Sequence, residues 1–467
     1  MIVMKFGGTS TQDASAQLNV ASIVKANLQR APIVVISAIA KSTNVLETAG
    51  KLAEKGENLQ ANKLLEELLE RHYQILDANV ANKERNAAIR AILAQSLHEL
   101  KDLVEGVSIL RELTPRTLDA LYCYGELLSS RLVAATCQEI GVDAVWLDTK
   151  DFMVTEPNHN RALPMMELVE QKLSALALPL INSGKVVVTQ GFIGVTQSGY
   201  RTTMGRESSD YSATIIGTAL NVDEIQIWTD VDGILTSDPR VVNAPKKVKT
   251  MLPEEAFELS YFGAKVLHPN TMLPAIEKNI PVYIYNSKRP QLSGTRVASD
   301  ASKKPVIKSV AYKRNISIIS VAPRKRLGQY MFWEHIYSIL TKHSINANLT
   351  VSSEFNVAIT LEAKDSLDAV IHDLQSVGEV NVQENKGIVC LVGYGIKQVP
   401  EYLSRTFKVL SGMTISMMSF GASNSNITIV LDDEKILEAV KLLHKEFFEG
   451  QNNDEVFEIL EHFSVNQ

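Results

Sequence analysis

The chain has 467 residues, enough for two or three domains, and its 45% hydrophobic and 21% charged content is ordinary for a globular protein. Its formal net charge of −6 argues against nucleic acid or an anionic membrane as a partner, because both favour a concentrated basic face. There is no leader pattern and no apolar run of membrane-spanning length, so we expect a cytoplasmic protein. Cys123, Cys137 and Cys390 share no metal-binding spacing, which predicts buried, reduced thiols and no metal held by the protein.

The chain opens on a short apolar strand, residues 2–4, that leads into Lys5, Phe6, Gly7 and Gly8. Glycines let backbone amides approach an anion and the lysine supplies a mobile charge, so this motif indicates phosphate binding. The lysine precedes the glycines, which excludes the Walker A loop of P-loop NTPases. A tight turn beside a solvated lysine is the alternative interpretation of the motif taken alone.

The first part of the chain has a βα rhythm with one long helical interruption. Its continuous apolar runs are typical of strands buried on both faces, which predicts a mostly parallel sheet between helical layers. The predicted elements, in order, are a helix over 13–30, a strand at 32–37, an almost wholly helical segment over 43–141 that breaks near Pro115, and strands at 144–147, 185–189 and 224–228.

A polar, turn-rich segment over 292–305 ends this pattern and marks a domain boundary. The order strand, helix, strand, strand, helix then occurs twice, which predicts two ferredoxin-like βαββαβ units over about 314–385 and about 386–467. The apolar strand at 305–313 precedes the first unit but fits the second equally well, and that assignment would nest one repeat inside the other.

Polar residues cluster where a helix is predicted to begin near Tyr211. Ser208, Ser209 and Asp210 could cap that helix, and Arg206 could fork onto a carboxylate. Capping alone explains the serines and the aspartate, but the arginine directly before them favours a ligand site.

Two further segments fit a nucleotide site. Thr229 and Asp230 follow a buried strand, the sheet edge where ligands bind, and Arg240 lies in the same loop. A plain turn built from Asp-Gly and Asp-Pro is the alternative. Lys265 could reach a transferring phosphoryl group from the side opposite Lys5, and two lysines would stabilise its spread charge.

The motifs KFGGTS, VVISA, TQGFIG, GRESSDYSA, WTDVDGILTSDPRVV and FGAKVLHP occur in the order and spacing of the aspartate kinases. The chain resembles that family over essentially its whole length. The resemblance implies a three-layer α/β/α amino-acid kinase domain over 1–296, with a mostly parallel sheet and a helical insertion, and a regulatory region over 305–467 with two ferredoxin-like ACT domains. It implies phosphorylation of the side-chain carboxylate of L-aspartate by ATP with Mg²⁺, giving 4-phospho-L-aspartate, the first step toward lysine, threonine and methionine.

The resemblance also implies roles for particular residues. The catalytic residues would be Lys5, Asp210 and Lys265. The nucleotide would be bound by Lys5, Gly7, Gly8, Thr229, Asp230, Arg240 and Lys265. The substrate would be held by Ser37, Thr43, Glu126, Phe192, Arg206 and Ser209, with the arginine on a carboxylate and Glu126 on the ammonium. An amino-acid effector would bind near Asn348, Ser353 and Glu354.

The chain departs from the family pattern in three places. Glu207 and Ser208 stand where small glycines are usual, which predicts altered substrate affinity. Leu235 stands where an aromatic residue often lies near the adenine. The bulky segment 324–331 replaces a small glycine loop at the effector site, which predicts weak or absent lysine inhibition.

Two other functions fit the same residues less well. One is a related kinase acting on glutamate, acetylglutamate or a nucleoside monophosphate, which the paired ACT units and the segment 205–210 disfavour. The other is a metabolite sensor with an impaired kinase domain, which the joint presence of Lys5, Asp210 and Lys265 disfavours. Paired βαββαβ units expose strand edges, so we expect a homodimer or higher homo-oligomer through the region after 305.

Overall fold

The computed structural model describes residues 1–205, 208–263, 269–324, 329–353, 356–362, 367–450 and 453–460. The chain divides into two compact units, one formed by Met1–Gly233 with Asn270–Ser299 and the other by Ile234–Pro269 with Asp300–Gln467. Within the described residues, no helix combines the length and apolar character needed to cross a membrane.

The elements are numbered in chain order. The strands are β1 (Ile2–Phe6), β2 (Pro32–Ile36), β3 (Ala144–Trp146), β4 (Val154–Thr155), β5 (Val186–Gln190), β6 (Ile193–Thr196), β7 (Arg201–Thr203), β8 (Glu224–Thr229), β9 (Lys247–Val248), β10 (Thr250–Met251), β11 (Val282–Asn286), β12 (Thr295–Val297), β13 (Ser309–Pro323), β14 (Leu349–Ser352), β15 (Val357–Glu362), β16 (Gly378–Val392), β17 (Met417–Phe420), β18 (Asn426–Asp432) and β19 (Phe457–Glu458). The α-helices are α1 (Ala14–Ala26), α2 (Ser42–Lys55), α3 (Asn58–Asn79), α4 (Lys83–Leu110), α5 (Pro115–Glu139), α6 (Met166–Asn182), α7 (Ser209–Ala219), α8 (Pro253–Tyr261), α9 (Pro269–Glu277), α10 (Gln329–Lys342), α11 (Asp368–Val377), α12 (Pro400–Val409) and α13 (Ile436–Phe448).

The first unit is built on a sheet whose strands run in the order β12–β11–β8–β1–β2–β5–β3. All neighbouring pairs are parallel except β11 with β12, which confirms the mostly parallel sheet. Ile2, Met4 and Phe6 are fully buried in one cluster with side chains of α1 and α5. Because side chains alternate along a strand, Val3 and Lys5 lie on the opposite face, where α7 packs against β1.

The predicted helical segment consists of α2 to α5, which share a core of their own rich in leucine. The predicted break occurs where α5 begins, since the Thr114 hydroxyl accepts a hydrogen bond from the Thr117 amide at 3.2 Å and Pro115 occupies the first helical position. The three cysteines are buried and unpaired, as predicted.

The second unit contains a six-stranded sheet in the order β14–β15–β13–β16–β18–β17. Its two central strands, β13 and β16, are each 15 residues long and antiparallel. We predict one strand at 305–313 and another at the start of the first βαββαβ unit, whereas the structure has the single strand β13. Asn315 adopts φ +56°, and the pairing register shifts between Lys313 and Ile316 without ending the strand. Residues 309–313 pair with 388–392, whereas residues 316–323 pair with 378–386.

Candidate active site

Several predicted site residues meet at one edge of the sheet of the first unit. Since β1, β2, β5 and β8 are mutually parallel, their carboxyl ends lie side by side. Lys5 lies at the end of β1, Ser37 follows β2, Phe192 follows β5 and Thr229 ends β8. This is the edge of a parallel sheet at which ligands bind.

Lys5 and Asp210 form an ion pair at this edge. The Lys5 ammonium lies 2.7 Å from Asp210 Oδ1, and the two side chains are only 11% and 16% exposed. The approach is outside hydrogen-bond geometry, since Oδ1 has no hydrogen-bond partner among the described residues. The contact is therefore one of charge, and it holds the ammonium beside the first turn of α7.

Gly7 and Gly8 bring backbone close to the end of the sheet. The Gly7 amide donates to the Trp228 carbonyl at 3.2 Å, and Gly8 begins a single 3₁₀ turn. A Cβ atom on Gly8 would lie 2.7 Å from the Ala38 carbonyl oxygen, a contact that only glycine avoids. The turn after Lys5 therefore packs directly on the loop after β2, and the Ala40 amide donates to the Gly8 carbonyl at 3.1 Å.

Glu126 contributes a buried carboxyl group from α5. Its Oε1 accepts from the Ala38 amide at 3.0 Å, whereas its Oε2 has no hydrogen-bond partner among the described residues. Burial raises the pKa of Glu126 to about 8, and the positive charge of Lys5 opposes that shift. A half-satisfied carboxyl group of this kind favours a cation at its free oxygen.

Gly125, next to Glu126 in α5, lies close to Thr43. A Cβ on Gly125 would lie 2.8 Å from the Cβ of Ala38 and 3.8 Å from the Thr43 hydroxyl, so glycine allows α5 to approach the loop after β2. Thr43 is in the first turn of α2, which begins one residue after Lys41 at φ +71°.

Phe192 and Ser209 meet where the turn after β5 packs on the start of α7. Phe192 adopts φ +66°, which is unusual for a bulky residue, and its amide donates to the Ser212 hydroxyl at 2.7 Å. A Cβ on Gly191 would lie 2.6 Å from the Cβ of Ser209. The turn and the helix are thus held in direct contact, with both Phe192 and Ser209 buried.

The predicted capping of α7 is wrong for the residue at its N-cap position. Ser208 is the N-cap, but its side chain makes no capping hydrogen bond and its hydroxyl has no partner among the described residues. Its backbone is at φ −81° and ψ 7°, whereas a capping side chain needs an extended backbone. Asp210 lies inside the first turn and contacts Lys5 instead.

The predicted nucleotide residues fall in both units. In the first unit, the Thr229 carbonyl accepts from the Ser287 amide at 2.8 Å, and Asp230 is exposed. In the second unit, Arg240 forks onto Asp238, with Nε 3.0 Å from Oδ1 and Nη2 2.7 Å from Oδ2. Lys265, Arg206 and Glu354, and the departure at Glu207, lie outside the described residues.

The predicted effector corner is partly occupied by the chain itself. The Lys313 ammonium donates to Asn348 Oδ1 at 2.8 Å and to Glu362 Oε1 at 3.2 Å. The Ser353 hydroxyl accepts from the Asn356 amide at 3.2 Å. The polar corner exists, but the carbonyl oxygen of Asn348 already has a cationic partner.

Sequence reasoning missed two buried aspartates that support the site. Asp119, on the buried side of α5, accepts from the Thr203 hydroxyl at 2.5 Å and lies 2.7 Å from His159 Nδ1, which fixes the end of β7. Asp232, in the loop after β8, accepts from Asn286 Nδ2 at 2.6 Å. The only signal for Asp119 is its place seven residues before Glu126, on the same face of α5.

Comparisons with known proteins define the class of protein first. The model of the amino acid kinase family matches residues 1–286, and an ACT domain model matches residues 389–447. The chain is thus an amino-acid kinase domain followed by an ACT-containing region, which confirms the predicted fold class.

Individual relatives identify a particular family of kinases within that class. Aspartokinase 3, chloroplastic, of Arabidopsis thaliana is 34% identical, over 98% of this chain and 83% of its own length. Lysine-sensitive aspartokinase 3 of Escherichia coli (strain K12) is 33% identical, over 96% of this chain and 99% of its own length. The crystal structure of E. coli aspartokinase III in complex with aspartate and ADP superposes with a TM-score of 0.82 at 33% identity, covering 96% of this chain and 100% of that one. The chain belongs to the aspartokinase family, as the motifs predicted.

Proposed function

We propose that this enzyme transfers the γ-phosphoryl group of ATP to the side-chain carboxylate of L-aspartate, giving ADP and 4-phospho-L-aspartate, the first step toward lysine, threonine and methionine. The observation that carries the proposal is the meeting of the Lys5–Asp210 ion pair with the half-satisfied Glu126 at one edge of a parallel sheet. Family membership agrees with it, since E. coli aspartokinase III is solved with aspartate and ADP.

Lys5 is the group that would act on the transferring phosphoryl. A carboxylate oxygen of aspartate attacks the γ-phosphorus as the bond to the β,γ-bridging oxygen breaks, and negative charge spreads over the phosphoryl oxygens. An ammonium held by Asp210 at 2.7 Å stabilises that charge without moving first, which lowers the barrier.

Glu126 would bind the substrate ammonium through its free Oε2, because that oxygen is buried and has no partner within the described part of the chain. Ser37, Thr43, Phe192 and Ser209 would line the same side of the site. The role of Arg206 on the substrate carboxylate remains a prediction from the family resemblance.

The nucleotide phosphates would lie against the backbone of Gly7 and Gly8, beside Thr229 and Asp230. Roles for Arg240 and Lys265 remain predictions from the resemblance. Mg²⁺ prefers carboxylate and phosphate oxygens, and the ion would be held by the phosphates of ATP, since Asp210 Oδ1 already faces the Lys5 ammonium at 2.7 Å. When bound with ATP, the ion supplies charge neutralisation at the phosphates.

Assembly, regulation and location are also proposals. We expect a homodimer or higher homo-oligomer in light scattering of the full chain, and a monomer would contradict this. E. coli aspartokinase III is solved with lysine and aspartate, yet here Lys313 occupies Asn348 Oδ1. We therefore expect weak or absent lysine inhibition, and full inhibition at low-millimolar lysine would contradict it. A cytoplasmic location stays a prediction, since the A. thaliana relative is chloroplastic.

Acceptor selectivity tests the proposed function. ADP release from Mg-ATP, followed through a pyruvate kinase-linked assay, should be fast with aspartate and slower by orders of magnitude with glutamate and N-acetylglutamate. Comparable rates with glutamate or N-acetylglutamate would identify another kinase of the superfamily. The absence of ADP release with every acceptor would favour a metabolite sensor.

A further inference from the structure

A cavity of about 480 Å³ lies in the first unit, between α4, α5 and the segment after β3. We call it the α4–α5 cavity. Its lining combines the apolar residues Ile92, Leu127 and Leu128 with charged ones. Its volume is within the range of small-molecule sites. None of the candidate active-site residues lines it.

The two carboxylates in its wall are already hydrogen-bonded within the wall. Asp148 accepts two hydrogen bonds from Arg201, from Nη1 to Oδ1 at 3.1 Å and from Nη2 to Oδ2 at 2.9 Å. Glu99 accepts from the Tyr124 hydroxyl at 2.6 Å and from Gln95 Nε2 at 3.1 Å. Arg201 thereby neutralises Asp148, whereas Glu99 keeps its negative charge because its partners are uncharged. With three cations against two carboxylates, the lining has a net charge of +1.

Arg131 and Lys150 carry the positive charge that is left. Across the described chain, no carboxylate hydrogen-bonds to either side chain. Lys150 is exposed, whereas burial lowers the pKa of Arg131 and the negative charge of Asp148 opposes that shift.

The Arg131 guanidinium is also held in place. Its Cζ lies 3.5 Å from the centre of the Trp146 ring, and the Trp146 indole nitrogen donates to the Ser130 hydroxyl at 2.9 Å. Stacking on an aromatic face leaves the N–H edge of a guanidinium free for hydrogen bonds in its plane. The donor fork is therefore fixed before any ligand arrives, which lowers the entropy lost on binding.

We propose that the α4–α5 cavity binds a small organic anion, a carboxylate or phosphate group on an apolar body, with the anionic group on Arg131. The guanidinium fork matches both kinds of anion. The apolar body would pack on Ile92, Leu127 and Leu128. The exposed Lys150 adds a weaker, solvent-screened attraction.

Saturation-transfer NMR on the full chain tests the proposal, with aspartate and ADP present in excess to fill the active site. The probes are benzoate and phenyl phosphate, and benzyl alcohol is the uncharged control. Both anions should bind and benzyl alcohol should bind at least several-fold more weakly. The tighter of the two anions identifies the carboxylate or the phosphate class.

The matched variants are Arg131→Gln and Arg116→Gln. Arg116 also stacks on an aromatic ring, with Cζ 3.7 Å from the centre of Tyr200, but it does not line the cavity. Arg131→Gln should weaken anion binding about tenfold or more, because a charge-assisted fork is lost. Arg116→Gln should leave it unchanged.

Arg131→Lys, which keeps the charge but loses the fork, gives an independent test if Arg131→Gln fails to fold by circular dichroism. It should weaken binding several-fold. Failure of both anions to bind at millimolar concentrations would overturn the proposal. So would equal binding to the wild type and to the folded Arg131 variants. Neither result bears on aspartate phosphorylation, which is measured separately.

Discussion

The buried carboxyl group of Glu126 should make aspartate binding depend on pH. Burial raises its pKa to about 8 in the free protein. The substrate ammonium favours the ionised form, so the group must lose a proton before or during binding. Aspartate affinity should therefore rise with pH up to about 8 and then level off.

The size of the effect follows from the pKa. At pH 6 roughly one part in a hundred of Glu126 is ionised, and each pH unit below 8 lowers that fraction about tenfold. The kcat/KM for aspartate should thus rise about tenfold from pH 6 to pH 7. The free energy of unfolding should instead fall as the pH rises. Because the folded pKa is raised from 4.5, this group's contribution to the free energy of unfolding is fully present below 4.5 and is lost as the pH rises to 8.

The assay is ADP release as a function of aspartate concentration at pH 6 to 9, for the wild type and for Glu126→Gln. The variant should bind aspartate weakly and lose the pH slope. Glu139→Gln is the control, since Glu139 lies on the same helix but pairs with Arg85 at 2.6 Å, and it should keep the slope. A flat profile in the wild type, or an unchanged slope in Glu126→Gln, would refute the assignment.

Three further substitutions test the site and its supports. Lys5→Ala should lower kcat by about 10² to 10³, or roughly 3 to 4 kcal/mol, with the fold intact by circular dichroism. The control Lys185→Ala, at a partly exposed lysine outside the candidate site, should change neither kcat nor the fold. A normal kcat in Lys5→Ala would remove this lysine from the reaction. Gly8→Ala should reduce activity and thermal stability, since its Cβ would lie 2.7 Å from a carbonyl oxygen. Gly106→Ala, with open space around its Cβ inside α4, should instead stabilise the protein by up to about 1 kcal/mol. Equal melting temperatures for the two variants would contradict the close approach at Gly8. Asp119→Ala should lower the free energy of unfolding, measured in urea, by roughly 3 kcal/mol or more, because its buried partners lose their acceptor. A loss under 1 kcal/mol would show that water replaces the carboxylate.

The strand ends of the candidate site were predictable from local sequence. Continuous apolar runs mark buried strands, and parallel strands place their carboxyl ends together, so Lys5, Ser37 and Thr229 had to lie on one edge. Glu126 was not predictable in this way. Its environment depends on Gly125 meeting Ala38, 87 residues earlier in the chain, a contact that no local pattern reveals.

Local rules also failed where tertiary contacts decide the outcome. Ser208 has the residue type of a helix cap, but its backbone conformation removes the capping hydrogen bond. The sequence predicts separate strands before and after residue 314, yet pairing with β16 makes β13 continuous there. The contact between Lys313 and Asn348 joins residues 35 positions apart and appears only in the folded sheet.

The most direct test of the central claim is to trap the phosphorylated product. The enzyme is incubated with Mg-ATP, aspartate and hydroxylamine. The hydroxamate is identified by mass spectrometry, and its amount is compared with the amount of ADP formed. We expect the hydroxamate of the side-chain carboxylate, formed in equal amount to ADP and lost in step with kcat in Lys5→Ala. ADP formed without a hydroxamate, or a hydroxamate on the α-carboxylate, would contradict it.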